Sequence, residues 1–165
     1  MLDRESLAAT LDAVNDADFH GRRIPRRERE AVAGWLASRC GEDGSYENMP
    51  APTARDFASA PRLFTGEPLT GRGGLACKLG NEGCRALIRL EAKTAAVTEA
   101  LRLAEERMAA RLDPPASRRA GFYCCGSCTV ALWRHLLAGG LDHQEERLAS
   151  GLRLLHQARL GNGGW

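Results

Sequence analysis

The residues of this sequence best equipped for chemistry are its cysteines. Cys124, Cys125 and Cys128 fall close together in "GFYCCGSCTVALWRHLLAGG", residues 121–140, at the mouth of an apolar helical pattern, and Cys77 and Cys84 lie upstream. Cys125 and Cys128 form a C-x2-C pair. Joined by Cys77 and Cys84, they would supply four thiolates to a tetrahedral zinc or to an iron–sulfur cluster. His135 follows Cys128 by seven residues, so on a continuous helix it faces the same way and is an alternative ligand. A thiol at a helix N-terminus is also more acidic and more nucleophilic, which would suit redox chemistry, although the strand–helix–strand setting of a thioredoxin motif is missing. The competing reading makes each cysteine a small apolar residue packed where helices approach closely. Spacing alone leaves all three open.

Composition narrows the setting. A chain of 165 residues, 44% hydrophobic and 27% charged, suits a single domain, 1–165, with a core large enough to stand without disulfides. The N-terminus, "MLDRESLAATLDAVNDADFH", lacks the basic start, apolar stretch and small-residue cleavage site of a secretory signal, which leads to a cytoplasmic expectation and to reduced thiols. No apolar run approaches the roughly 20 residues that span a bilayer. The formal charge is +2, and the densest basic cluster, "GRRIPRRERE", is interleaved with Glu28 and Glu30 and has no aromatic residues for base stacking. It reads as a solvated helix start, with no strong nucleic-acid signal.

The elements that must position the cysteines are helical. Leu7, Leu11 and Val14 recur at helical spacing, and Val32, Trp35 and Leu36 do so after Pro25. Residues 41–74, rich in Pro, Gly and Thr, read as an irregular connection with one short helical stretch at "TARDFASA". Helix returns near Glu82 with Cys84, Leu87 and Ile88, and again with Val97, Leu101, Ala104, Met108 and Leu112, ending before Pro114 and Pro115. Periodicity turns Glu99, Glu105 and Glu106 to solvent. Val130, Trp133 and Leu137 mark a further helix that ends at Gly139 and Gly140, where glycine suits a left-handed cap. Asp142 with Glu145 resembles a capping box, and Leu148, Leu152 and Leu155 form the next apolar stripe. No β alternation appears. The fold class is all-α, built of antiparallel helix pairs.

Two of these pairs end alike. "WLASRCGEDGSY", residues 35–46, and "LRLLHQARLGNGGW", residues 152–165, each close an apolar helix with a Gly-containing turn and an aromatic ring. The layout resembles the QW repeat of the squalene cyclase and prenyltransferase superfamily. Trp35, Leu36 and Gly44 match in the first copy, where Cys40 stands for the Gln and Tyr46 for the Trp; Gln157, Gly163 and Trp165 match in the second, where Leu152 and Arg153 depart from the aromatic–Leu pair. The resemblance implies a partial α/α toroid, either lacking C-terminal repeats or a short, open relative, around an apolar cavity lined by Trp35, Phe122, Tyr123 and Trp133 and taking an apolar small molecule. An unrelated helical bundle is the alternative.

The superfamily's catalytic motifs are not carried over. Asp16-Ala17-Asp18 lacks the final acid of the protonating DxDD motif, and no segment reproduces the zinc site of the protein prenyltransferases. Whether the chain is an enzyme stays open at this level. The functional expectation is a binding or accessory module, with a cysteine-ligated metalloprotein as the rival.

Overall fold

The computed structural model describes residues 2–62, 66, 68, 69, 71–112, 123, 126–141 and 145–157, and among these the chain is all-α with no strand. Seven helices run in order: α1 Leu7–Phe19, α2 Arg26–Ser38, α3 Ala54–Ser59, α4 Arg72–Arg89, α5 Ala95–Leu112, α6 Gly126–Leu137 and α7 Glu145–Gln157. With the six-residue α3 set aside, helices two apart in the chain are neighbours in space: α4 packs against α1 and α6, and α2 packs against α5. No helix is long and apolar enough to cross a membrane among the described residues.

The apolar stripes form two clusters. Leu7, Leu11 and Val14 of α1 meet Val32 and Leu36 of α2, and Leu79, Leu87 and Leu90 at α4. Met108 and Leu112 of α5 meet Cys128 and Leu132 of α6, together with Met49 and Cys77. Helix α4 lies at the centre, its residues Leu75–Leu79 and Glu82–Cys84 mostly closed off from solvent, and it feeds both clusters.

The connection after α2 is ordered by hydrogen bonds. Arg39 donates through Nε to the Ala51 carbonyl at 3.1 Å and through Nη2 to that of Pro52 at 2.9 Å. Asp56 is fully buried and ties two helix starts together: it accepts from Thr53 N at 2.8 Å, closing the capping box of α3, and from Ser6 Oγ at 2.7 Å and Leu7 N at 2.9 Å at the start of α1. Both helices thereby satisfy amide groups that would otherwise have no acceptor.

Helix α4 begins at Arg72, inside the stretch read as irregular from sequence, and ten residues before Glu82. The glycines there mislead. Gly71, at φ +74, takes the left-handed position before the first turn, while Gly73 and Gly74 are helical. Gly80 and Gly83 serve contact: a Cβ on Gly80 would lie 2.8 Å from Met49 Cβ, and one on Gly83 would lie 2.7 Å from Pro50 Cγ. The missing side chains let residues 49 and 50 press against the helix backbone.

Tyr46 sits at the end of its Gly-containing turn, with its ring 6.4 Å from that of Tyr123, edge to face, and Arg111 of the last turn of α5 above it at 5.2 Å. Trp165 and Asp142 lie outside the described residues, as does the Leu155 side chain. Leu152 of the expected α7 stripe is 51% exposed.

Candidate functional site

A polar seam crosses the bundle where α1, α4 and α6 meet. Glu82, 1% exposed at the middle of α4, faces Arg134 of α6, whose Nε stands 3.2 Å from Oε1. Asn15 of α1 donates to Oε2 at 3.5 Å and accepts from Arg85 Nη1 at 2.5 Å. Arg85 continues to Asp18 at 2.6 Å, and Arg89 reaches the other Asp18 oxygen at 2.6 Å. Burial pushes the Glu82 carboxyl above its ordinary value, while Arg134 and Arg85 pull the other way. Burial also raises Asp18, but its hydrogen bonds and charge contacts with Arg89 and Arg85 outweigh that and hold it below the usual value.

On the α5 side of α6, His135 is fully buried and its Nε2 stands 3.0 Å from Glu105 Oε1. The same oxygen accepts from Leu141 N at 3.2 Å. Nδ1 has no hydrogen-bond partner among the described residues. The seam thus holds Glu105 to the end of α6. This corrects the expectation that Glu105 faces solvent: its side chain is 28% exposed, whereas Glu99 and Glu106 do lie outside, both paired with Arg102. Sequence pattern missed the role of Glu105 because it sits at the edge of the apolar stripe, one residue past Ala104. A signal was present in Gly140, five residues after His135: a Cβ there would lie 2.2 Å from Nε2.

The cysteines are mostly interior. Cys77, Cys84 and Cys128 are buried, and Cys40 is half-buried. Burial pushes the Cys84 thiol well up, and it pushes the Cys40 thiol up to about 12, so both stay protonated and poorly nucleophilic. Asn81 Nδ2 lies 3.7 Å from the Cys77 sulfur. Cys124 and Cys125, the second a member of the expected four-cysteine set, lie outside the described residues. Among the described residues, no three His, Cys, Asp or Glu side chains gather to hold a metal ion, and His135 points its bonded nitrogen at Glu105.

Two of the rings expected to line one cavity belong to different clusters. Trp35 packs on the cluster around α1 and α2, whereas Tyr123 is buried in the cluster around α5 and α6. Burial raises the Tyr123 hydroxyl pKa, and its oxygen has no partner among the described residues. Trp133 is half-buried, and Phe122 lies outside the described residues. The apolar space lies elsewhere. Between α4 and α5 runs a groove of about 690 Å³ over Leu87, Ile88, Val97 and Leu101, rimmed by Lys93, Arg102 and Glu105. It continues past Ile88 and Leu101 into a second hollow of about 460 Å³ beside Ala109, Gly139 and Leu141. Glu105 borders both, with His135 directly behind it.

Fold and site together define an all-α protein of packed helices with an open groove beside a buried histidine paired with a part-buried glutamate. No family model matches the chain, and neither a curated protein nor a solved structure matches it.

Proposed function

We propose that this chain is an α/α-repeat binding module, of the kind the squalene cyclase and prenyltransferase superfamily builds, which holds an apolar small molecule without transforming it. The observation that carries the reading is the packing of α4 on α1 and α6 with α2 on α5, partners two apart in the chain once the six-residue α3 is set aside. Stacked helix pairs produce that relation because each pair lies on the one before it, whereas in an up-and-down bundle consecutive helices are the chief neighbours. The groove over Leu87, Ile88, Val97 and Leu101 supplies a place for the ligand, and its volume is within the range of small-molecule sites. The nearest acids to a protonating motif are engaged elsewhere: Asp16 pairs with Arg22, and Asp18 pairs with Arg85 and Arg89.

The test is a titration of purified protein with the neutral fluorophore N-phenylnaphthylamine, followed by displacement with farnesol. Saturable binding is expected, with affinity about tenfold weaker in Ile88→Lys, which places a charge in both hollows. Binding that does not saturate, or that ignores the substitution, sinks the groove as the site. Incubation with isoprenoid diphosphates and squalene, with magnesium and zinc present, tests the second half: product above a heat-inactivated control overturns it.

A further inference from the structure

A second surface, at the end of the molecule where the α1–α2 turn meets the α4–α5 turn, carries charge that its own ion pairs do not absorb. Two hollows adjoin there, one of about 400 Å³ and one of about 180 Å³, and both are walled by Arg29, Leu90 and Glu91. Arg22, Arg23, Arg26, Arg29, Arg89 and Lys93 line them, against the carboxylates Asp18, Glu30 and Glu91. Most of those pairs are accounted for. Asp18 is held by Arg85 and Arg89, Arg22 by Asp16, and Arg26 by Glu30. Arg23 and Lys93 have no ion pair among the described residues.

Arg29 is the centre of the arrangement. Its Nη1 reaches Glu91 only at 3.5 Å, and Glu91 is 74% exposed. Its Nε is buried and has no acceptor among the described residues. The guanidinium is therefore incompletely paired among the described residues; the closed Nε is out of reach of a ligand, which would meet the part of the side chain that is exposed. The floor below it, Leu90 and Ala92, is apolar and buried, which lowers the local dielectric and strengthens attraction to an incoming anion. Arg26 and Arg29 belong to the first turn of α2 and Thr94 precedes α5, but the C-terminal ends of α1 and α4 meet at the same surface, so the helix dipoles offset one another and the side-chain charges set the field.

The geometry points to an anion site at this end of the molecule, centred on Arg29 and flanked by Arg23 and Lys93, that takes a phosphoryl group. Arginine presents paired donors to phosphate oxygens, and Lys93 adds a point charge across the hollow. The phosphoryl group can belong to a soluble phosphate ester or to an anionic lipid headgroup, and both offer the same oxygens. The site adjoins the apolar groove, with which it shares Glu91, Ala92 and Lys93, but Arg29 and Arg23 line only the hollows of the anion site.

Isothermal titration with inorganic pyrophosphate, at low and then raised salt, tests the proposal; vesicles of phosphatidylglycerol, with phosphatidylcholine vesicles as reference, form the second arm. Saturable binding that weakens with salt is expected in at least one arm, and the arm that responds names the source. Arg29→Gln is expected to weaken it about tenfold or more. Should that variant fail to fold by circular dichroism, Arg23→Gln with Lys93→Gln, both at exposed positions, carries the same expectation. Arg107→Gln, exposed on α5 away from the hollows, is expected to leave it unchanged. No binding in either arm, or an Arg107→Gln loss equal to that of the site variants, overturns the assignment.

Discussion

His135 and Glu105 stand 30 positions apart in the chain and 3.0 Å apart in space, joining the last turns of α6 to the middle of α5. The ring can lie there because residue 140 is glycine. Gly140→Ala is therefore expected to push the imidazole off Glu105 and to cost about 2 kcal/mol. His135→Ala is expected to cost a similar amount, and adding Gly140→Ala to it should cost little more, because the clash has lost its partner. Urea denaturation of the four members of this cycle measures the coupling; additive losses would sink the contact.

The glycines of the helices fall into two groups that alanine separates. A methyl group added to Gly34 or Gly74 would meet nothing within 4 Å, so Gly34→Ala and Gly74→Ala are expected to stabilise by about 0.5–1 kcal/mol through helix propensity. Gly83→Ala gains the same propensity but meets Pro50, and is expected to destabilise by about 1–3 kcal/mol. Thermal melts of the three variants check the opposite signs.

Glu82 and Asp18 impose opposite pH dependences. Glu82, raised above its ordinary 4.5, keeps its proton in the folded chain where the unfolded chain has lost it, so its contribution falls as pH rises above 4.5 through the folded value. Glu82→Gln should consequently gain stability relative to the parent as pH climbs through that window. Asp18, lowered from 3.8, contributes stability that is present above 3.8 and lost as pH falls through its folded value. Asp18→Asn is expected to cost about 1–2 kcal/mol at neutral pH and progressively less in acid. Parallel stability profiles for parent and variants, from urea titrations at stepped pH, would contradict both assignments.

Thiol accessibility gives a direct reading of the cysteine question. Cys77, Cys84 and Cys128 are buried, and the Cys84 thiol is held protonated. Pulse alkylation with iodoacetamide at pH 8, mapped by mass spectrometry, should leave these three largely unmodified in native protein and label them fully in denaturant. Rapid native labelling of Cys84 would show that it is neither buried nor protonated.

Local signals in the sequence sufficed for the helical class and for most helix positions. The stripes Leu7–Leu11–Val14 and Val97–Ala104–Met108 repeat at the period of one backbone conformation, and Gly139, at φ +99, ends α6 for a reason contained in a few residues. The start of α4 was hidden because glycine signals a turn locally, while Gly80 and Gly83 are in the helix to admit Met49 and Pro50. Likewise, the period that places Glu105 beside an apolar stripe says nothing of His135, and the thiol spacing that suggested a metal site says nothing of how deeply Cys84 is buried. Which acid meets which base across 30 to 70 positions depends on the packing of α1, α4, α5 and α6 against one another. Only the tertiary structure decides that, because the free energy of each pairing exists only once burial has removed the water that would otherwise solvate both partners.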